Sequence, residues 1–196
     1  MTPATIIWIN GAFGSGKTTV AYTLHRRLTH SFVFDPEQAG YYLRKNQPAP
    51  LCLSNFQDEP LWRQINFAML RNIAFHYSGI ILVPMTLVCP DYFHEFVTSL
   101  RNIGIPVHHF VLAANEKTLR TRLHKRLEGR HSWAAQQIPL CLTGFENPVF
   151  YPQIKTDGRS VDAIVEEIAS QAGLTLIPSK TSVVRRLAIT LRNLHQ

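Results

Sequence analysis

The segment that most constrains this chain of 196 residues lies near its N-terminus. A run of β-prone apolar residues at positions 6–9 leads directly into GAFGSGKT at positions 11–18. This octapeptide fits the phosphate-binding loop pattern G-x-x-x-x-G-K-[ST] without a mismatch, and it has the preceding strand and following helical pattern that its mechanism requires. The alternative, a glycine-rich turn that matches by chance, does not account for this context. The sequence therefore predicts a phosphate cradle, or P-loop.

Each residue type in the loop has a physical role in holding a nucleoside triphosphate. The glycines let the backbone turn so that successive N–H groups point inward. Lys17 would reach the β- and γ-phosphates and the Thr18 hydroxyl would bind Mg²⁺, while the first helix would place its positive end beneath the anion. ATP and Mg²⁺ are therefore the expected cofactors. The expected nucleotide-binding residues are Gly11, Ala12, Phe13, Gly14, Ser15, Gly16, Lys17, Thr18 and Thr19.

Apolar runs and helical patterns alternate along the rest of the chain, as in an α/β domain. We expect a three-layer P-loop fold with a parallel five-stranded sheet of order 2-3-1-4-5, flanking helices and right-handed crossovers. This domain is expected to cover residues 1–180. Residues 128–150 would form an irregular lid with a short helix near 132–137, and residues 181–196 a separate basic amphipathic helix.

A carboxylate is expected near the phosphates, because a P-loop kinase needs one to orient the acceptor hydroxyl or to accept its proton. Asp35 follows the second predicted strand, where ligand-binding groups collect in open α/β sheets. The third strand ends in Pro-Met-Thr rather than in the usual acidic residue, which leaves Asp35, through water, and secondarily Thr86 to complete the Mg²⁺ shell. The alternative for Asp35, which Pro36 follows, is a cap on a turn or short helix.

Basic residues are concentrated in a helix predicted from Asn115 to about Leu127. Arg122 and Arg126 lie one turn apart there and, with Arg130, suit a polyphosphate whose charge grows in the transition state. A solvated helix face is the alternative for each arginine taken singly. The formal net charge of +7 is accompanied by no nucleic-acid-binding motif, so we expect a small-molecule partner and no nucleic acid.

A helix predicted at residues 59–77 carries more apolar surface than one core stripe needs. Trp62, near its start and beside an irregular stretch, is the expected pocket wall. Ile65, Met69 and Ile73 are expected to be core residues.

No segment is predicted to span a membrane, because the longest apolar run, residues 80–89, holds only ten residues and includes Pro84. The N-terminus lacks the basic region of a signal peptide. The three cysteines are widely spaced, form no C-x-x-C pair and suit a reducing compartment. We therefore expect a cytoplasmic protein.

Five stretches together resemble the tunicamycin-resistance ATP-binding family. They are IWINGAFGSGKT (7–18), FDPE (34–37), LVPMT (82–86), SWAAQQI (132–138) and QIKTD (153–157). The resemblance covers nearly the whole chain, and Pro-Met-Thr and Ser-Trp-Ala-Ala are more specific than the P-loop alone. More distantly, the layout is similar to shikimate, gluconate and chloramphenicol kinases, in which an Asp after the second strand meets the acceptor hydroxyl. Asp35 matches that position.

The resemblance implies resistance to a uridine-containing antibiotic with a fatty acyl tail. It implies an ATP-dependent phosphotransferase that acts on a hydroxyl of tunicamycin or of a nucleoside-like small molecule. A protein that binds and sequesters the drug without phosphoryl transfer is the alternative. The expected catalytic residues are Lys17, Asp35, Arg122 and Arg126, and the expected substrate-binding residues are Asp35, Trp62, Thr86, Arg130, Trp133 and Gln137.

Residues 181–196, which follow Pro178, are predicted to form a basic amphipathic helix with four aliphatic residues on one side. Such a helix can lie on an anionic membrane, where each nearby cation adds about 1 kcal/mol. The alternative is docking on the sheet domain or on the partner subunit of a homodimer. We favour docking, because four aliphatic residues are a modest insertion signal and a short terminal helix needs tertiary packing.

Co-sedimentation with anionic liposomes tests this preference. Docking predicts that the full chain and a chain truncated after Ser179 pellet equally, or not at all, because the apolar side of the helix is then covered by protein. Neutral liposomes serve as the control for non-specific pelleting. Pelleting of the full chain alone, on anionic liposomes alone, would show that the helix binds the membrane.

Overall fold

The computed structural model describes residues 3–125 and 132–178. Five parallel strands form one sheet in the order β2-β3-β1-β4-β5, which confirms the predicted topology. Trp8 on the first strand pairs with Val83 on one side and with His109 on the other, so this strand is central. The strands are β1 (Thr5–Gly11), β2 (Ser31–Val33), β3 (Ile80–Pro84), β4 (Val107–Ala113) and β5 (Gln153–Lys155).

Helices connect the strands and cover the sheet. Within the two described ranges, the α-helices are α1 (Lys17–Arg27), α2 (Glu37–Asn46), α3 (Pro60–His76), α4 (Pro90–Phe93), α5 (Ser99–Asn102), α6 (Glu116–His124), α7 (Trp133–Gly144) and α8 (Val161–Gln171). A π-helical turn, His94–Thr98, joins α4 to α5. Short 3-10 turns lie at Ala49–Leu51, Phe56–Asp58 and Pro148–Phe150.

The side chains of β1 alternate between two cores, one on each face of the sheet. Ile6 and Trp8 belong to a core shared with α3, α4, α5 and α7. Ile7 and Ile9 belong to a second core shared with α1 and α8. All four side chains are fully buried. A parallel strand that is covered on both faces reads as a continuous apolar run, which is why the strand was recognisable from the sequence.

Two segments are more helical than predicted. Residues 37–46 form α2, although the sequence suggested only a turn or short helix there. Residues 133–144 form α7, so the short helix expected within an irregular lid is twice as long as predicted. Pro139 lies inside α7 and removes a hydrogen bond of the helix, but burial of Ala135, Ile138 and Cys141 offsets this loss. The movement of this segment as a lid stays a prediction.

Among the described residues, no helix has the length and apolar character needed to cross a bilayer. The helix predicted at residues 181–196 lies outside this part of the chain.

Asn10, at the end of β1, ties the start of the P-loop to the segment that follows β3. Its Oδ1 accepts hydrogen bonds from the backbone N–H groups of Gly11 and Leu87, each at 2.8 Å. Its Nδ2 donates to the carbonyl of Leu87 at 2.7 Å and lies 3.1 Å from Nε2 of His109. Burial, with a smaller contribution from Arg101, lowers the pKa of His109 to about 3, so the ring is neutral at pH 7 and can accept this hydrogen bond.

Asn10→Ala should lower the free energy of unfolding by about 3 kcal/mol, because it leaves buried backbone groups of Gly11 and Leu87 unpaired at about 1–3 kcal/mol each. Urea denaturation measures this loss. Asn46→Ala is the matched control, since the Asn46 side chain is exposed and donates a single hydrogen bond, to Tyr42. A loss at position 10 no larger than that at position 46 would contradict the structural role of Asn10.

Candidate functional site

The P-loop joins β1 to α1 in a conformation that requires glycine at particular positions. Gly14 has a φ of 82°, and a Cβ there would lie 2.8 Å from the carbonyl oxygen of Leu119. At Gly11 a Cβ would lie 2.7 Å from the carbonyl oxygen of Leu112. The carbonyl oxygens of Leu112 and Leu119 cannot move easily, because they belong to the backbone of β4 and α6. A side chain at Gly11 or Gly14 would therefore push the loop away from these two elements.

A cavity of about 230 Å³, here named the P-loop cavity, lies between the loop and the end of β2. The polar and charged side chains on its wall are Lys17, Thr18, Tyr22, Asp35 and Glu37. The Nζ of Lys17 donates to the carbonyl of Gly11 at 2.9 Å and also contacts the carbonyl of Ala12 at 3.1 Å. Because the N-terminal end of α1 and an ammonium group both face this space, the cavity suits an anionic phosphate chain.

Asp35 lies in the P-loop cavity and also caps α2. Its Oδ1 accepts from the backbone N–H of Glu37 at 3.0 Å, and its Oδ2 accepts from Nε2 of Gln38 at 3.0 Å. The structure therefore combines the two interpretations that the sequence left open, because the carboxylate holds the first turn of α2 and still faces the space beside Lys17.

Thr18 and Asp35 provide the oxygen groups that Mg²⁺ prefers, and both line the P-loop cavity. In nucleotide sites this ion takes most of its ligands from phosphate and water, so a hydroxyl and one carboxylate fit it. Among residues 3–125 and 132–178, no cluster of three or more His, Cys, Asp and Glu side chains could hold a metal ion by itself. The metal-binding roles of Thr18 and Asp35 stay predictions.

A second cavity, of about 390 Å³, adjoins the first and is here named the aromatic cavity. Its aromatic walls are Phe13, Tyr41, Phe56 and Trp133. Phe13 and Trp133 pack edge to face with ring centroids 5.1 Å apart, and Tyr41 and Phe56 do so at 6.5 Å. The other residues on its wall are polar or charged: Glu37, Arg44, Ser54, Asn55, Gln57 and Thr86.

Thr86 connects the aromatic cavity to the P-loop. Its hydroxyl donates to the carbonyl of Gly11 at 2.9 Å, and its own carbonyl accepts from Nε2 of Gln57 at 2.9 Å. The side chain of Thr86 is buried, so its contact with a ligand is limited to the floor of the cavity.

Trp62 is not a pocket wall, which corrects the sequence-based expectation. Its side chain is 1% exposed, and its Nε1 donates to the carbonyl of Pro36 at 2.9 Å. The ring packs against Phe56 at a centroid distance of 5.3 Å. The position of Trp62 at a helix start favoured a pocket, but its indole N–H has a partner inside the protein. Trp62 therefore supports from behind a ring that does line the cavity.

Arg122 contacts the backbone of the P-loop and lines neither cavity. Its Nη1 donates to the carbonyl of Ser15 and to Oγ1 of Thr156, both at 3.2 Å, and its Nη2 donates to the carbonyl of Thr156 at 3.2 Å. The guanidinium thus joins the loop to the end of β5. Arg126 and Arg130 lie outside the described residues.

Some of the other expected site residues line one of the two cavities, and others line neither. Trp133 lines the aromatic cavity with its side chain about half exposed. Gln137, on α7, and Thr19, on α1, line neither cavity. Ser15 is buried, and its Oγ makes no hydrogen bond within the described structure.

Sequence reasoning missed Glu37, Tyr41 and Phe56. Glu37 and Tyr41 lie one turn apart on α2, where they form a side-chain hydrogen bond. Burial, and next the charge of Asp35, raise the pKa of the Glu37 carboxyl, while Lys17 and the hydrogen bond with Tyr41 act in the opposite direction. The detectable signal was the i, i+4 spacing of an acid and a tyrosine directly after Asp35, which becomes visible only once α2 is recognised as a helix.

Comparisons with known proteins agree with this architecture. A protein-family profile described as an AAA domain matches residues 6–141. The tunicamycin resistance protein of Deinococcus radiodurans is 34% identical, with coverage of 90% of this chain and 99% of its own and a TM-score of 0.77. A sugar kinase from Janibacter sp. HTCC2649 is 18% identical, with coverage of 88% and 96% and a TM-score of 0.61. No curated protein matches the sequence.

The shikimate kinase of Acinetobacter baumannii is 14% identical, with coverage of 87% of this chain and 94% of its own and a TM-score of 0.57. At such identities the two kinases show a shared fold and no more. The Deinococcus protein is similar in sequence over nearly its whole length, which together with the P-loop supports nucleotide binding. The chain therefore belongs to the AAA-domain family and, with the Deinococcus protein, to the tunicamycin-resistance proteins.

Proposed function

We propose that this protein transfers the γ-phosphate of ATP to a hydroxyl group of tunicamycin or of a nucleoside-like small molecule. The observation that carries the proposal is that the P-loop cavity and the aromatic cavity share Phe13 and Glu37 as walls. A phosphate chain in the first cavity and a ring-bearing acceptor in the second would meet at this junction, as phosphoryl transfer requires. The Deinococcus relative, named for resistance to tunicamycin, supports the choice of drug.

In this proposal the acceptor oxygen attacks the γ-phosphorus, the bond from that phosphorus to the bridging oxygen breaks, and ADP leaves. Lys17 and the N–H groups of the loop hold the phosphates. Thr18 and, through water, Asp35 would hold Mg²⁺, which supplies positive charge beside the phosphate oxygens. Asp35 orients the acceptor hydroxyl and accepts its proton.

Arg122 acts on the reaction through the loop. Because its guanidinium donates to the carbonyl of Ser15 and to Thr156, it fixes the loop backbone relative to β5 rather than touching phosphate. Arg126 and Arg130 remain the proposed partners of the charge that develops on the γ-phosphate.

Drug binding without transfer is the second candidate function. The aromatic cavity favours it, because a volume of about 390 Å³ with four aromatic walls can bind a ring without any reaction. In that case ATP would only order the site.

Mass spectrometry separates the two candidates. After incubation with Mg-ATP and the wild-type protein, tunicamycin should be heavier by one phosphate group. Lys17→Ala should slow this transfer roughly 100-fold or more, because it removes a cation from the developing charge. Lys117→Ala, on the exposed face of α6, is the matched control, and circular dichroism checks that both variants fold. Wild-type protein that binds the drug but returns it unmodified would support sequestration.

Asp35→Asn should leave the fold and nucleotide affinity intact while lowering kcat roughly 100-fold, the contribution typical of a general base. Asparagine keeps an oxygen for the N–H of Glu37, so the start of α2 stays capped. Asp91→Asn, at an exposed position of α4, controls for the general effect of losing a carboxylate. If Asp35→Asn has the kcat of the wild type, Asp35 serves only to cap α2 and takes no part in catalysis.

A further inference from the structure

Glu37 occupies the junction between the two cavities. Of the described residues, it and Phe13 are the two that line both, and Phe13 presents only a hydrocarbon ring there. The Glu37 side chain is partly buried rather than extended into solvent. An acceptor that reaches from the aromatic cavity toward the P-loop must therefore pass the carboxylate of Glu37.

Glu37 is held in this position by its own helix. It is the first residue of α2, its N–H donates to Asp35 at 3.0 Å, and Tyr41 one turn later forms a hydrogen bond with its side chain. Asp35 lines the P-loop cavity but not the aromatic cavity, and both of its oxygens accept hydrogen bonds from the first turn of α2. The two carboxylates therefore meet different parts of the acceptor: Asp35 faces the reacting hydroxyl beside the phosphate chain, and Glu37 faces the groups that lie at the junction and in the aromatic cavity.

The charges around Glu37 disfavour an anionic acceptor. Lys17 lies on the side of the P-loop cavity, and Asp35 adds a second negative charge near the junction. Arg44 also lines the aromatic cavity and keeps its positive charge, but its Nη2 is bound to the backbone carbonyls of residues 53 and 54, and its guanidinium lies over the Phe56 ring, 5.4 Å from the ring centroid. A carboxylate accepts hydrogen bonds and gives none, so it pairs with an O–H or N–H group and repels a phosphate.

We propose that Glu37 accepts a hydrogen bond from an O–H or N–H group of the acceptor and thereby restricts this site to uncharged, ring-bearing hydroxyl compounds, excluding phosphate monoesters such as nucleoside monophosphates. The proposal rests on the proposed function of the same site and names its substrate class. The four aromatic walls bind the ring, and Glu37 selects the polar group that approaches the P-loop.

The test measures binding in the presence of the ATP analogue AMPPNP and, separately, phosphate transfer from ATP. Tunicamycin is the uncharged probe, and uridine 5′-monophosphate is the phosphate monoester. For the wild type, the monophosphate should neither displace tunicamycin nor accept phosphate. Glu37→Gln should weaken tunicamycin binding about 10-fold, the loss typical of one hydrogen bond to a charged group, and should let the monophosphate compete. The affinity of the Glu37→Gln variant for AMPPNP should be unchanged.

Glu116→Gln is the matched control, because Glu116 is exposed on α6 and pairs only with Arg120 in the described structure. Tyr41→Phe removes just the hydroxyl that contacts Glu37 and should weaken tunicamycin binding in the same direction by a smaller factor. If Glu37→Gln fails to fold, as judged by circular dichroism, the Tyr41 variant decides the question in the same two assays.

The outcomes separate this proposal from the proposed function. Unchanged tunicamycin affinity in Glu37→Gln, or a monophosphate that serves the wild type as well as tunicamycin, overturns the role of Glu37 even when the drug is phosphorylated. Weakened binding in Glu37→Gln without transfer by the wild type supports Glu37 and overturns phosphoryl transfer. A wild type that binds no tunicamycin overturns both.

Discussion

The buried amide of Asn10 is the interaction on which the shape of the P-loop depends. A loop that turns its N–H groups toward a ligand leaves its remaining backbone groups to be paired elsewhere. Asn10 pairs the N–H of Gly11, the Thr86 hydroxyl pairs the carbonyl of the same glycine, and Arg122 pairs the carbonyl of Ser15. These bonds come from β1, from the segment after β3 and from α6. The geometry of the loop is therefore imposed by the sheet and helices around it, so a ligand meets a loop that is already formed.

The position of α2 links the hydrophobic core to both cavities. The carbonyl of Pro36, just before α2, accepts hydrogen bonds from Nε1 of Trp62 at 2.9 Å and from Nδ2 of Asn66 at 3.3 Å, both on the buried side of α3. From this anchored start, α2 directs Glu37 to the junction of the cavities and Tyr41 to the aromatic wall. Trp62, on α3, therefore contributes to the site indirectly, because it fixes the start of α2, the helix that carries Glu37 and Tyr41.

The strands and the P-loop could be predicted because continuous apolar runs and the glycine spacing are local patterns. The sheet order is not a local pattern, and it was expected from the fold that the P-loop and the family resemblance imply. The sequence suggested only a turn or short helix where α2 lies, because only Gly40 and Leu43 are buried on it, too few for an apolar stripe of helical period. The helix α7 was predicted too short because Pro139 signals a break, whereas packing against the core outweighs the lost hydrogen bond. Glu37 was overlooked because the residues around its cavities come from distant segments, and no local pattern brings them together.

Phe13 and Glu37 line both cavities, so the two spaces adjoin at these side chains. A single molecule that joins a phosphate chain to an aromatic ring would occupy both spaces through this junction. Once one end is bound, the other end binds at an effective concentration set by the linker rather than by the bulk solution. Such a bisubstrate inhibitor would combine two weak affinities into a strong one, provided that its linker matches the short span past Phe13.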